Sequence, residues 1–243
     1  MIIRDKGPFI RGGMLLLSFA GIFSLLLTPV MRDEKGVRLT GLQYADNVFN
    51  ELSKGSSDFI PVAREHAARL SGTKASLNVI LKKAELAPLA LTLLQKSGAD
   101  TAEASGDRVN FSGDMGAILM AAVNDSDALY RNDEAAVSGR YGGSRALDVA
   151  SAWWHLLSPC IKEMQKQNLI NEAQAVDQVL RRAVEPGSNF FGVTPAKVSD
   201  HLLLMTGMLL FYVFYTLWYG FAIFDLFEGI GLTMAKSKVK QEQ

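Results

Sequence analysis

Histidine is the side chain best suited to hold a metal or move a proton near neutral pH, and the chain has three: His66, His155 and His201. None has a second histidine four residues away, and none sits in a His-Glu-x-x-His run, the spacing that puts two imidazoles on one helix face. No metal site is predicted from them. His66 follows Glu65 and reads as solvated, His155 follows Trp153-Trp154 and reads as the rim of a pocket, and His201 reads as an interface anchor where an apolar run begins.

Asn124, Asp125, Asp127, Asn132, Asp133 and Glu134 are the densest set of oxygen donors, the ligand type that calcium takes. The Asp-x-Asp-x-Asp-Gly loop of an EF-hand is missing, and Asp125 and Asp127 are two apart and cannot share a helix face, so a solvated surface is expected. Two glycine-containing loops remain, residues 112–116 and 140–145; neither matches a phosphate-binding loop or a dinucleotide fingerprint. The second sets Arg140 and Arg145 around Gly142-Gly143 at a helix start, which can hold a carboxylate or phosphate. With His155 these arginines make up the predicted ligand-binding set. As a plain connector the loop needs no ligand. Cys160 is the only cysteine, which excludes an intramolecular disulfide and a cysteine zinc site within one chain. Trp153 and Trp154 are adjacent and must face different ways, one into a core and one outward; Trp153 is assigned to the partner surface. No catalytic residue and no cofactor is predicted, and the chain is read as not an enzyme.

The elements that would position these residues begin with two long apolar runs, residues 9–31 and 201–225, each able to cross a bilayer core of about 30 Å as a helix of roughly 20 residues. Arg4, Lys6 and Arg11 precede the first against Asp5, and Lys236, Lys238 and Lys240 follow the second against Glu242. Short basic flanks stay cytoplasmic, so segments 1–8 and 226–243 are expected in the cytoplasm and residues 32–200 outside, in the periplasm of a diderm cell. The first run is read as an uncleaved anchor, because Thr28-Pro29-Val30-Met31 offers no Ala-x-Ala cleavage pattern. In the second, Tyr212, Tyr215 and Tyr219 recur at helical spacing beside the small residues Thr216 and Gly220. This combination suits packing against another helix, while an aromatic belt at the headgroups suits Trp218, Tyr219 and Phe224. Ala20 and Ser24 repeat the small-residue spacing in the first run, so the two spans can also satisfy each other. Asp225 and Glu228 are placed in the cytoplasmic headgroup zone.

Residues 32–200 contain nineteen of the 25 basic and twenty-one of the 25 acidic residues, a balance that argues against a nucleic-acid surface. The pattern is mostly helical. Thr40 or Gly41 starts a helix through Leu52 that Gly55 stops; Ser57 caps a second carrying Val62, His66 and Leu70. Leu77, Val79 and Leu81 alternate, as do Val109 and Phe111, which predicts a small two-stranded β element around a helix over 84–96 with Pro88 in its first turn. Residues 97–107 read as a surface loop. A helix over 114–130 has its seam at Met115, Leu119, Ala122 and Leu129. Leu147, Ala150, Trp154, Leu157, Ile161 and Met164 make one helical face, with a kink or a fresh start at Pro159. Asn171 with Gln174 forms a capping box, and Pro186-Gly187 ends the last helix.

The helix pair over 160–184, joined near Asn168, resembles a single tetratricopeptide hairpin; with no second copy, a stacked array is not implied. The order of anchor, outside helical domain and return anchor resembles chemoreceptor sensory modules, from which the short segment 226–243 departs. The fold class expected is mainly α: two transmembrane helices flanking an extracytoplasmic helical bundle with a small two-stranded β element. The function expected is that of a non-enzymatic accessory or structural subunit of a membrane assembly. It would dock a membrane-protein partner or a second copy through Tyr212, Tyr215, Thr216, Tyr219, Gly220 and Trp153. The alternative is an extracytoplasmic sensory module whose ligand sits at Arg140, Arg145 and His155.

Overall fold

The computed structural model describes residues 3–33 and 36–232, so the predicted basic segment around Lys236, Lys238 and Lys240 lies outside the described residues. Two compact units divide the chain: Met1–Leu52 with Ala196–Gln243, and Ser53–Pro195.

The first unit opens with α1, Lys6–Leu26, capped by the Asp5 carboxylate, which accepts from the Gly7 N–H. A short antiparallel pair, β1 (Met31–Arg32) and β2 (Arg38–Leu39), follows. Next comes α2, Gly41–Ser56, which starts as its sequence predicts. Thr40 and Gln43 form a reciprocal capping box, each side chain accepting from the other's backbone N–H.

The second unit begins with α3, Ile60–Arg69. Its cap is not Ser57: the Asp58 carboxylate accepts from the Ile60 N–H, and Pro61 fills the first turn. The buried stripe is Ile60, Ala63, Ala67 and Leu70, so Leu70 of the predicted face is buried while Val62 faces outward. Strand β3, Lys74–Ile80, comes next, then a 3₁₀ turn over Ala84–Leu86 and α4, Ala87–Lys96, with Pro88 tolerated in its first turn. Strands β4, Ala99–Ser105, and β5, Arg108–Asp114, close an antiparallel sheet of order β3-β5-β4.

The sheet has three strands where two are predicted. Leu77 opposes Phe111 and Val79 opposes Val109, so the alternating residues meet on one buried face as expected. The third strand replaces the predicted loop over 97–107. It lies at the edge and turns mostly polar residues to solvent on both sides, so it carries no period-two apolar signal. A bulge between Ala99 and Thr101 lets its backbone close on Gly113, where a Cβ would lie 2.9 Å from the Ala99 Cα.

Helix α5, Met115–Tyr130, is capped by Asp114, whose carboxylate accepts from Gly116 and Ala117 and also from Gly72. Its predicted seam is buried in full. Helix α6 spans Glu134–Arg140 and α7 spans Ala146–Lys166. Pro159 neither breaks nor restarts α7. The buried face of α7 runs through Val149, Trp153, Leu156, Cys160 and Met164; Ala150, Leu157 and Met164 of the predicted face are buried, whereas Leu147 and Trp154 are 38% and 37% exposed. Asn168, with a left-handed φ of 61°, turns the chain into α8, Ile170–Val179. No side chain caps α8, so the predicted Asn171–Gln174 box is absent. The two helices predicted over 160–184 are present and joined at Asn168, the first being the C-terminal part of α7, which begins at Ala146 rather than near Cys160. Pro186-Gly187 does not end the last helix either. A π-helical segment over Leu180–Val184 precedes α9, Glu185–Asn189, and its wider turn accommodates the missing N–H of Pro186. Gly187 is required there, since a Cβ would lie 2.7 Å from the Ser126 carbonyl oxygen of α5.

The chain returns to the first unit through α10, Val198–Gly229, whose 32 residues would span about 48 Å at 1.5 Å each. Helices α1 and α10 are both long and apolar enough to cross a membrane; α10 extends a few residues beyond its predicted run at both ends, while α1 starts three residues early and stops at Leu26, short of the predicted end at 31. They pack antiparallel: the Arg4 and Asp5 N–H groups donate to the Gly229 carbonyl, and Phe19 near the middle of α1 stacks on Tyr215 near the middle of α10.

Candidate functional site

The α1/α10 hairpin is held by two glycines and one ion pair. A Cβ on Gly12 would lie 2.7 Å from the Leu226 nitrogen and 2.9 Å from the Ala222 oxygen; one on Gly229 would lie 2.6 Å from the Phe9 Cβ. Such close approach without side chains gives helix packing its van der Waals energy where lipid offers no hydrophobic gain. Beside this seam the Arg11 guanidinium grips Asp225 with both ends, Nε to Oδ2 at 2.6 Å and Nη2 to Oδ1 at 2.7 Å. Arg11, expected only as a basic flank, is therefore a structural partner. The signal was present: each run carries one such charge of opposite sign, placed where an antiparallel hairpin brings them together.

Further along, the Trp218 indole N–H donates to the Leu15 carbonyl at 3.2 Å, and Phe19 lies 4.2 Å from Tyr215 and 5.0 Å from Tyr219 between ring centres. The Tyr215 hydroxyl is buried with no hydrogen-bond partner among the described residues. Tyr215 thus spends its ring inside the hairpin, and Tyr219 does so in part. Tyr212 is 66% exposed, and Thr216 and Gly220 are exposed as well, with nothing within 4 Å of a Cβ placed on Gly220. At about 100° per residue, Tyr212, Thr216 and Gly220 form one strip that turns away from α1. The Thr216 hydroxyl donates to the Tyr212 carbonyl at 2.7 Å, which removes its need for a partner and leaves the notch open. In α1, Ser24 bonds back to Ala20 in the same way, and Ala20 and Ser24 stay exposed, so the predicted notch of the first span is not the one that meets α10.

In the second unit, Trp153 cannot form a partner surface. It is fully buried, and its indole N–H donates to Asp125 Oδ2 at 2.7 Å. Tyr141 donates to the same oxygen at 2.6 Å, and Arg140 Nη1 stands 2.8 Å from Oδ1. Asp125 belongs to the expected solvated cluster but is an interior carboxylate. Burial raises its pKa above the ordinary value, and the Tyr141, Trp153 and Arg140 contacts hold the rise down. The same burial and the Asp125 charge push the Tyr141 hydroxyl up.

The predicted ligand set does not converge. Arg140 is committed to Asp125; Arg145 lies 3.9 Å from Asp148; His155, ten residues further along α7, is about 15 Å away along the helix axis. Its imidazole is pushed below the ordinary pKa by burial and then by Lys83 and Lys82. His201 lies 3.9 Å from Glu51 within the first unit.

A second interior charge escaped sequence reading. The Lys54 ammonium is buried and donates to Asn132 Oδ1 at 3.1 Å, the Phe190 carbonyl at 2.9 Å and the Val193 carbonyl at 2.6 Å, with the Tyr130 ring 5.2 Å away. Burial lowers its pKa. All three of its donors are used, which suits a structural clamp. The Cys160 thiol is wholly buried, donates to the Leu156 carbonyl and is pushed up in pKa, which makes it unreactive. Among the described residues no group of three or more His, Cys, Asp or Glu side chains is placed to hold a metal. No protein-family model, curated protein or solved structure matches the chain.

Proposed function

We propose that the protein is a membrane-anchored accessory subunit that docks a partner's membrane span on the Tyr212, Thr216 and Gly220 strip of α10. The observation that carries this reading is the division of labour around α10: one side is filled by α1 through Gly12, Gly229 and Arg11–Asp225, and the other presents an exposed small-residue notch beside an aromatic ring. Lipid alone does not need that notch, and close helix approach does. In this reading both termini are cytoplasmic, because Arg4, Lys6 and Arg11 cluster at the N-terminal end of the first span. The folded unit between the spans is then periplasmic or extracellular, where it presents a helical surface to partner proteins.

The test is extraction of the full chain from its native membrane in mild detergent, comparing what co-purifies with the wild type and with a Tyr212→Ala, Gly220→Leu variant. Loss of a stoichiometric membrane partner from the variant, with the Arg11–Asp225 hairpin still formed, is the expected result. Equal recovery of the same partner by both proteins contradicts the reading.

A further inference from the structure

A cleft of about 780 Å³ opens in the second unit between the C-terminal ends of α3 and α7 and one side of α8. That volume lies within the range of small-molecule sites. Its floor includes Ala173 and Ala175, whose short side chains leave the space, and Gln165, Asn171 and Gln174 line its walls. Among the described residues Arg69, at its mouth, makes no ion pair. The acidic group lining it, Asp177, is already met by Arg181, whose Nε lies 2.9 Å from both carboxylate oxygens.

His66 lines the cleft, and its imidazole is pushed below the ordinary pKa by burial first and then by Arg69 and Arg182. Arg182 is held in place by Gln178, which accepts from its Nε at 2.6 Å, and by the Phe59 ring, 5.5 Å from its guanidinium carbon. The imidazole is therefore neutral at pH 7 and can accept from, or donate to, a hydroxyl group.

We propose that this cleft binds a small hydroxylated carboxylate of the sugar-acid class, with its carboxylate on the Arg69 guanidinium and its hydroxyls on Gln165, Asn171 and Gln174. A guanidinium takes a carboxylate through two parallel hydrogen bonds, and an amide side chain both donates and accepts, which is what a hydroxyl requires. The site goes beyond the docking role: it lies in the other unit and uses none of the residues assigned to the strip, so either proposal can fail without the other.

The experiment is calorimetric titration of the full chain in detergent with glucuronate, glucose and glucose 6-phosphate. Glucuronate is expected to bind with a Kd below about 1 mM, and glucose at least about tenfold more weakly. Arg69→Ala should lower glucuronate affinity by about tenfold or more, and Arg69→Lys less. Arg69 is exposed, so its variants should keep the wild-type melting temperature, which separates lost binding from lost folding. Absence of glucuronate binding at about 10 mM, equal binding of glucuronate and glucose, or binding of glucose 6-phosphate alone would each overturn the proposal.

Discussion

The two units use their charges in opposite ways. Between Ser53 and Pro195, Asp125 and Lys54 are buried and closed off by neighbours: Tyr141, Trp153 and Arg140 around the carboxylate, Asn132 and two carbonyls around the ammonium. In the α1/α10 hairpin a single pair, Arg11–Asp225, closes one end, and Arg11 keeps most of its side chain exposed. Removing one partner of a paired interior charge is costly. On α10, Tyr212, Thr216 and Gly220 are left facing outward, which is why the docking proposal rests there rather than on Asp125 or Lys54.

The largest expected effect lies at the interior carboxylate. Asp125→Ala should lower the unfolding free energy of the full chain by about 3–5 kcal/mol, because it strands a tyrosine hydroxyl, an indole N–H and a guanidinium. Denaturation followed by tryptophan fluorescence measures it, and a loss near zero would erase the contrast between the units. Trp153→Ala should cost about as much and Trp154→Ala far less, since only the first is fully enclosed.

Lys54→Met comes next, at about 1–3 kcal/mol, for the Asn132 side chain and two carbonyls left without a donor. In the hairpin, Arg11→Asp or Asp225→Arg alone should weaken cross-linking between cysteines placed at Phe19 and Tyr215, whose rings lie 4.2 Å apart, and the double swap should restore it. Failure of the swap to rescue would deny the ion pair its role in setting register.

The smallest effect is a pH slope. Burial raises the folded pKa of Asp125 above its ordinary 3.8, so the folded chain binds this proton more tightly than the unfolded chain does. The charge therefore costs stability at neutral pH, and the cost fades as pH falls through the folded pKa toward 3.8. Asp125→Asn should flatten that part of the stability profile. An unchanged slope would show that Tyr141, Trp153 and Arg140 offset burial completely.

Much of the fold was legible in the sequence because its signals are local. The two apolar runs, the Thr40 start, the Pro88 first turn and the seam of α5 each rest on periodicity or capping within one segment. The third strand was hidden because an edge strand of small polar residues looks like a loop. The face of α7 was assigned through Trp154 instead of Trp153: with tryptophans at adjacent positions, periodicity admits either, and only the buried Asp125 decides it. Site residues were less legible because what a charge meets is set by topology. Arg140 and Arg145 are close in sequence yet pair with different acids, while Arg11 and Asp225 are 214 residues apart and pair directly.

The most direct measurement is photo-crosslinking from α10 in the native membrane, with the reactive side chain at Thr216 and, as the internal control, at Tyr215. The account predicts an adduct between Thr216 and a second polypeptide, and a link from Tyr215 to α1 of the same chain. Lipid adducts alone at Thr216, with the Tyr215 link intact, would contradict it.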